Sequence, residues 1–256
     1  YKVYSSVLGT FEFGVADFVD TKLCKDVTTL VEPMAGTAEF CYSGHFQFPD
    51  FRYLMIDLDE DAKELVLSQN WLPQTSKEYI LGDVLSEKVW SQIKSQSNTD
   101  SLAYIGKQSH HYLDAKQLMS LMKEATAHVD YLMLETPQIC LVSDMGDTDE
   151  LTRPEQADAG FTCELVGEKD GDPNPLTHRL SFRLEASNGR KSRVLFNYHD
   201  WTSWGHSTLV AFADLLDLRS FYYHSEDEEF VPVSDWDGEA DCEENVTFML
   251  FTRRNV

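Results

Sequence analysis

Positive charge is scarce in this chain: 21 lysines and arginines stand against 44 aspartates and glutamates, a formal net charge of -23. Such a surface repels a phosphate backbone unless a local basic patch intervenes, which ranks nucleic acid low as a partner. The acidic excess reads first as solubility rather than as an attraction for cationic substrates. Paired cysteine motifs are missing as well. Cys24, Cys41, Cys140, Cys163 and Cys242 are odd in number and widely spaced, without a CxxC or a Cys/His pair of the kind that binds zinc. They read as reduced thiols, and His178, His199, His206 and His224 scatter among carboxylates without a metal-binding spacing, so no metal is expected. No apolar run is long enough to cross a bilayer, and the lead from Tyr1 lacks a basic-then-apolar signal pattern. No membrane partner is expected, and the expected location is cytoplasmic. Internal repeats and low-complexity segments are absent too.

What is present is a core: 42% hydrophobic and 12% aromatic residues over 256 positions are enough to fill one. After an aromatic-rich lead, Val15 to Leu23 has helical apolar spacing and is expected to form a cap within residues 1–24. Strands are then expected at 28–32, 52–57, 78–82, 101–106 and 129–135. Helices are expected between them at 37–45, 60–70, 86–94 and 114–127. Strict alternation of this kind gives a parallel sheet with helices on both faces. Beyond Thr136-Pro137 come an acidic loop and three extended runs, Phe161–Glu168, His178–Ala186 and Ser192–Tyr198, with turn residues between them. These read as an antiparallel β-meander inserted at 143–204. A helix from about Ser207 to Leu218, a strand near Leu218–His224, an acidic loop and a last strand Val246–Thr252 complete the reading.

The chemistry concentrates at strand ends. In Val31-Glu32-Pro33-Met34-Ala35-Gly36-Thr37-Ala38 a strand stops at a carboxylate and turns through small side chains into a helix, a turn that lets a nucleoside ligand touch backbone. Tyr53-Leu54-Met55-Ile56 ends in Asp57, whose carboxylate can accept both hydroxyls of a ribose lying across the strand ends. Leu81-Gly82-Asp83-Val84 ends the third strand, where Asp83 has an ordinary alternative role as a helix N-cap. Gln108-Ser109-His110-His111-Tyr112-Leu113-Asp114 follows the fourth.

These four motifs, in this order, resemble the class I S-adenosylmethionine-dependent methyltransferases, in particular the small-molecule group whose first motif reads Glu-Pro-Met-x-Gly-Thr. The likeness covers residues 25–142 and 205–252, the cofactor-binding domain being expected at 25–142 and 205–256. It implies a Rossmann-like α/β fold, mostly parallel with an antiparallel last strand, and S-adenosylmethionine as cofactor. It also implies roles. Glu32 orients the methionine ammonium, Gly36 and Gln108 lie along the cofactor, Asp57 takes the ribose hydroxyls and Leu58 packs on the adenine. Asp83 accepts from the adenine amine, and the Val84 N–H meets the ring. The family's glycine triplet survives only at Gly36, with Met34 and Ala38 at the flanking positions. The Ala38 methyl is expected to push helix or cofactor slightly outward; its effect on binding stays open.

On the acceptor side, His110 and His111 follow the fourth strand, where either could take a proton or hold a substrate hydroxyl; capping the next helix or bonding within the core are the ordinary alternatives. Tyr198, His199, Trp201 and Trp204, just ahead of a helix, suit a pocket wall for an organic acceptor. The alternative is that Trp201 and Trp204 fasten the meander to the core, with Ser207 or Thr208 capping the helix. By the resemblance the meander covers the acceptor or forms a homodimer contact. The expected activity is methyl transfer to a small organic acceptor. A methyltransferase acting on protein or RNA is opposed by the charge and by the lack of an Asn-Pro-Pro-Tyr type tetrapeptide after the fourth strand. An inactive cofactor-binding or scaffolding domain of the same fold is the remaining alternative.

Overall fold

The computed structural model describes residues 26–68, 76–97, 100–106, 109–135, 149–150, 162–167, 179–188, 192–202, 204–224, 229–235 and 248–254. The expected N-terminal helix and Gln108 lie outside them.

Five apolar runs form the strands β1 (Val27–Pro33), β2 (Arg52–Asp57), β3 (Lys77–Leu81), β4 (Asp100–Ile105) and β5 (Tyr131–Glu135). β2, β4 and β5 hold unbroken apolar runs, 53–56, 102–105 and 131–134, because a parallel strand is covered on both faces, and every residue of β5 is buried. Between them lie α1 (Glu39–Gln47), α2 (Glu60–Ser68), α3 (Glu87–Gln96) and α4 (Ala115–His128). Three further strands belong to this sheet: β10 (Leu218–His224), β11 (Glu229–Pro232) and β12 (Phe248–Arg253). The sheet has eight strands in the order β11-β10-β12-β5-β4-β1-β2-β3. β1 to β5 pair in parallel, β12 enters antiparallel between β5 and β10, and β11 is antiparallel to β10. From β1 the chain steps outward through β2 to β3 and then returns to the other side of β1 at β4. The sheet therefore has its topological switch between β1 and β4.

The meander runs form a separate four-stranded antiparallel sheet of β6 (Asp149–Glu150), β7 (Thr162–Gly167), β8 (Arg179–Ser187) and β9 (Ser192–Thr202). The chain divides into two compact units, with boundaries after Thr136 and after Trp204. The four-stranded sheet and Trp204 belong to one unit; the eight-stranded sheet and α5 (His206–Leu215) belong to the other.

Differences from the sequence reading have local causes. Helix α1 begins at Glu39 rather than 37 because Ala38 has φ +59, a left-handed conformation that cannot continue a right-handed helix. Helix α5 stops at Leu215 because Asp217 is left-handed at φ +56. Its N-cap is Gly205 without a side-chain hydrogen bond, so neither Ser207 nor Thr208 caps it. Strand β11 has no counterpart in the expected elements: four residues beginning in Glu229 and ending in Pro232 carry little periodicity, and a proline is tolerated at a sheet edge.

Candidate functional site

The turn after β1 is built on three left-handed residues at alternate positions: Met34 (φ +57), Gly36 (φ +49) and Ala38 (φ +59). This is the spacing of a glycine triplet, and Met34 and Ala38 adopt the conformation in spite of their side chains. Ala38 is fully buried in the core, so its methyl packs inward and the cost of replacing glycine there falls on the backbone. At Gly36 an added Cβ would meet nothing within 4 Å among the described residues. The turn runs along the end of β2: Ala35 N–H donates to the Ile56 carbonyl at 2.9 Å, and Gly36 N–H donates to Asp57 Oδ2 at 2.7 Å.

Asp57 organises this corner. Its Oδ1 accepts from Leu58 N–H at 2.7 Å and from Asp59 N–H at 3.1 Å, and its main-chain carbonyl accepts from Gly82 N–H at 2.9 Å. A carboxylate offers about four acceptor sites, so three backbone donors leave one on Oδ2. Beside it Leu58 is 72% exposed, an apolar side chain standing outside the sheet at a strand end. Glu32 is 8% exposed and reaches forward to the start of α1, where Oε1 accepts from Phe40 N–H at 3.2 Å and Oε2 from Cys41 N–H at 2.9 Å. It stands in for the side-chain cap that Ala38 cannot provide. Burial first, and then the Glu32 charge, push the Cys41 thiol well above its usual range.

At the end of β3, an added Cβ on Gly82 would come within 2.6 Å of a Val89 methyl, so a side chain there would displace α3. Asp83 is exposed and its Oδ1 accepts from Leu85 N–H at 2.8 Å. It shapes the turn, while the N-cap of α3 is Ser86; the N-cap alternative for Asp83 is therefore set aside. Val84 is buried, and its carbonyl accepts from the Trp90 indole at 2.7 Å.

After β4 the chain makes a short 3-10 turn, Ser109–Tyr112, on which His110 and His111 are both fully buried with ring centroids 4.1 Å apart. Neither histidine caps α4. That end is closed by Asp114 and Gln117 in a reciprocal capping box, Gln117 N–H to Asp114 Oδ1 at 2.8 Å and Asp114 N–H to Gln117 Oε1 at 2.9 Å. Among the described residues neither ring nitrogen of His110 has a hydrogen-bond partner. Burial, and secondarily the neighbouring His111, hold its pKa well below the ordinary histidine value. Because β1 and β4 are adjacent, with Val31 opposite Ala103, the turns carrying Gly36 and His110 leave the sheet side by side.

Sequence reasoning missed two groups at this edge. Glu135, the last residue of β5, is 8% exposed and accepts from the Tyr104 hydroxyl at 3.2 Å. Burial, then the Glu135 charge, push the Tyr104 phenol well above its usual range. The rule that singles out Asp57, a carboxylate closing an apolar strand, also applies to Glu135. The second group is Tyr79, for which no sequence signal existed beyond an inward strand position. Of the acceptor-side candidates, Tyr198, His199 and Trp201 lie on β9 with side chains outside the described residues, and Trp204 is buried. Among the described residues no group of three or more His, Cys, Asp or Glu is placed to hold a metal ion.

Comparison with solved structures finds the same chain path in methyltransferases. An S-adenosylmethionine-dependent methyltransferase from Clostridium acetobutylicum superposes with TM-score 0.64 at 10% identity, over 98% of this chain and 95% of the other. The fold is that of the class I methyltransferases. An amino pentose methyltransferase from Micromonospora echinaspora, solved with S-adenosylmethionine bound, gives 0.62 at 13% identity over 98% and 95%. A sugar N-methyltransferase from Streptoalloteichus sp. gives 0.60 at 13% identity over 99% and 92%. No family model matches this chain, and no curated protein does. In a methyltransferase fold of this topology the switch point falls between the Gly36 and His110 turns, the place where open α/β sheets bind their ligands.

Proposed function

We propose that this chain is an S-adenosylmethionine-dependent methyltransferase that passes a methyl group to a small organic acceptor by in-line displacement. The observation that carries the proposal is the corner at the ends of β1 and β2. A side-chain-free left-handed turn at Gly36, a carboxylate at Asp57 with one acceptor site in hand, and an apolar Leu58 held 72% exposed stand together. An open backbone, a hydroxyl acceptor and an apolar face are what an amino-acid-bearing nucleoside requires, so the residues present fit the cofactor.

In this reading Leu58 covers the adenine and Asp57 accepts a ribose hydroxyl through Oδ2; a second hydroxyl would compete with the Gly36 N–H. Asp83 receives the adenine amine beside the Val84 backbone. Glu32 lends negative charge near the methionyl end while holding α1. When bound, the cofactor supplies a sulfonium-activated methyl group, so the protein contributes chiefly alignment within ~3–3.5 Å. His110 is buried and held neutral, which suits it to accept a proton or hydrogen bond from the acceptor. That its ring nitrogens have no partner among the described residues supports this role, because a buried polar group left unpaired costs free energy that a ligand contact recovers. Gln108, Tyr198, His199, Trp201 and Trp204 remain candidates on the cofactor and acceptor sides, with His111 beside His110.

A scaffolding domain that keeps the fold without turnover is favoured by one observation: Glu32 and Asp57 both spend their oxygens on backbone N–H groups. Incubation with S-adenosylmethionine and a panel of small amines and hydroxyl compounds, read as S-adenosylhomocysteine formed, separates the two. Turnover with any acceptor supports the enzyme. With the acceptor found, His110→Asn is expected to lower turnover by roughly 10²–10⁴-fold with cofactor affinity nearly intact.

A further inference from the structure

Gly36 is gripped at both ends. Its N–H is held by Asp57 Oδ2 at 2.7 Å, and its carbonyl accepts the Tyr79 hydroxyl at 2.9 Å. Tyr79 lies on the edge strand β3, paired with Met55 of β2, and only 3% of it is exposed. Its hydroxyl therefore reaches from the core to a turn 43 residues earlier in the chain. Crowding does not explain the left-handed backbone at Gly36, since a Cβ there would meet no atom of the described residues within 4 Å. The two hydrogen bonds define it.

The consequence is directional. In a trans peptide the carbonyl and the following N–H point to opposite sides. With the Gly36 carbonyl turned down onto Tyr79 in the core, the Thr37 N–H is turned the other way. That N–H has no acceptor among the described residues, in contrast to the Ala35, Gly36 and Ala38 amides of the same turn, which donate to Ile56, Asp57 and Ala35. We propose that Tyr79 is a positioning residue for the cofactor: by fixing the Gly36–Thr37 peptide it presents the Thr37 N–H as a donor to bound S-adenosylmethionine. This rests on the cofactor reading above and assigns a residue that the motifs do not include.

A matched control exists in Tyr53, a fully buried tyrosine on neighbouring β2 whose hydroxyl donates to the Phe48 carbonyl beyond the far end of α1. Tyr53→Phe and Tyr79→Phe each delete one hydroxyl-to-carbonyl bond from the same core cluster. Titration of S-adenosylmethionine into wild type and both variants is the test, with urea unfolding alongside. The expected result is similar destabilisation in both variants, but a rise in dissociation constant of about 3–10-fold, the range for one hydrogen bond, only in Tyr79→Phe. Unchanged affinity in Tyr79→Phe, or equal weakening in both, overturns the proposal and leaves the cofactor reading intact; a wild type that does not bind overturns both. Amide hydrogen exchange on the wild type is a second arm that depends on no variant. S-adenosylmethionine should slow exchange at Thr37, and a Thr37 amide unaffected by saturating cofactor overturns the proposal.

Discussion

A left-handed backbone at a residue with a side chain costs on the order of 1–2 kcal/mol, and the turn after β1 holds two, Met34 and Ala38. Their replacement by glycine should differ. Met34 is partly exposed, so Met34→Gly relieves the strain with little lost packing and is expected to stabilise by about 1 kcal/mol. Ala38 is fully buried, so Ala38→Gly gives back about 0.8 kcal/mol of methyl burial and should come out near neutral. Urea midpoints of the two variants check the contrast. His110 adds a pH dependence at the same scale. Its folded pKa lies below the unfolded value of about 6.5, so the unfolded chain binds the proton more readily. The stability of its neutral burial is fully present above about pH 6.5 and is lost as pH falls from there through the folded value. Between pH 7 and pH 5, wild type should therefore lose more stability than His110→Gln; parallel losses would show that another group drives the acid limb.

Among the elements, α1 depends on a residue outside itself. Glu32 accepts the Phe40 and Cys41 N–H groups of its first turn, so Glu32→Ala should cost about 1–3 kcal/mol, and Glu32→Gln, which keeps one acceptor oxygen, less. Equal stability of all three in urea would mean that water replaces the carboxylate at no cost. This long-range cap was not legible in the sequence, where Glu32 reads as a strand-terminal carboxylate and nothing announces that Ala38 leaves a helix uncapped. The central strands were legible because burial on both faces writes them as continuous apolar runs, and Asp57 because a carboxylate ending such a run is conspicuous. Glu135 follows the same rule, but its strand end is not one of the four that carry the family's motifs. Tyr79 could not have been found: nothing in Lys77–Leu81 sets it apart from its apolar neighbours, and the partner of its hydroxyl is fixed by the path of a distant turn. His110 was legible as a candidate, but its full burial, and the absence of a partner for its ring nitrogens among the described residues, were not.

For the molecule as a whole, the strand order decides where chemistry can occur. Adjacent strands β1 and β4 send their connections to opposite sides of the switch, which sets the Gly36 turn and the His110 turn side by side at the switch point, where open α/β sheets bind their ligands. The motifs, far apart in sequence, converge because five parallel strands end along one edge. The central claim is that this edge binds S-adenosylmethionine through Asp57. Isothermal titration of S-adenosylmethionine into wild type and Asp57→Ala tests it most directly. The account predicts saturable binding at one site in the wild type, weakened by about 1.5–3 kcal/mol in the variant, the range for hydrogen bonds to a charged group. Absence of binding to the wild type, or equal affinity in a folded Asp57→Ala, would contradict it.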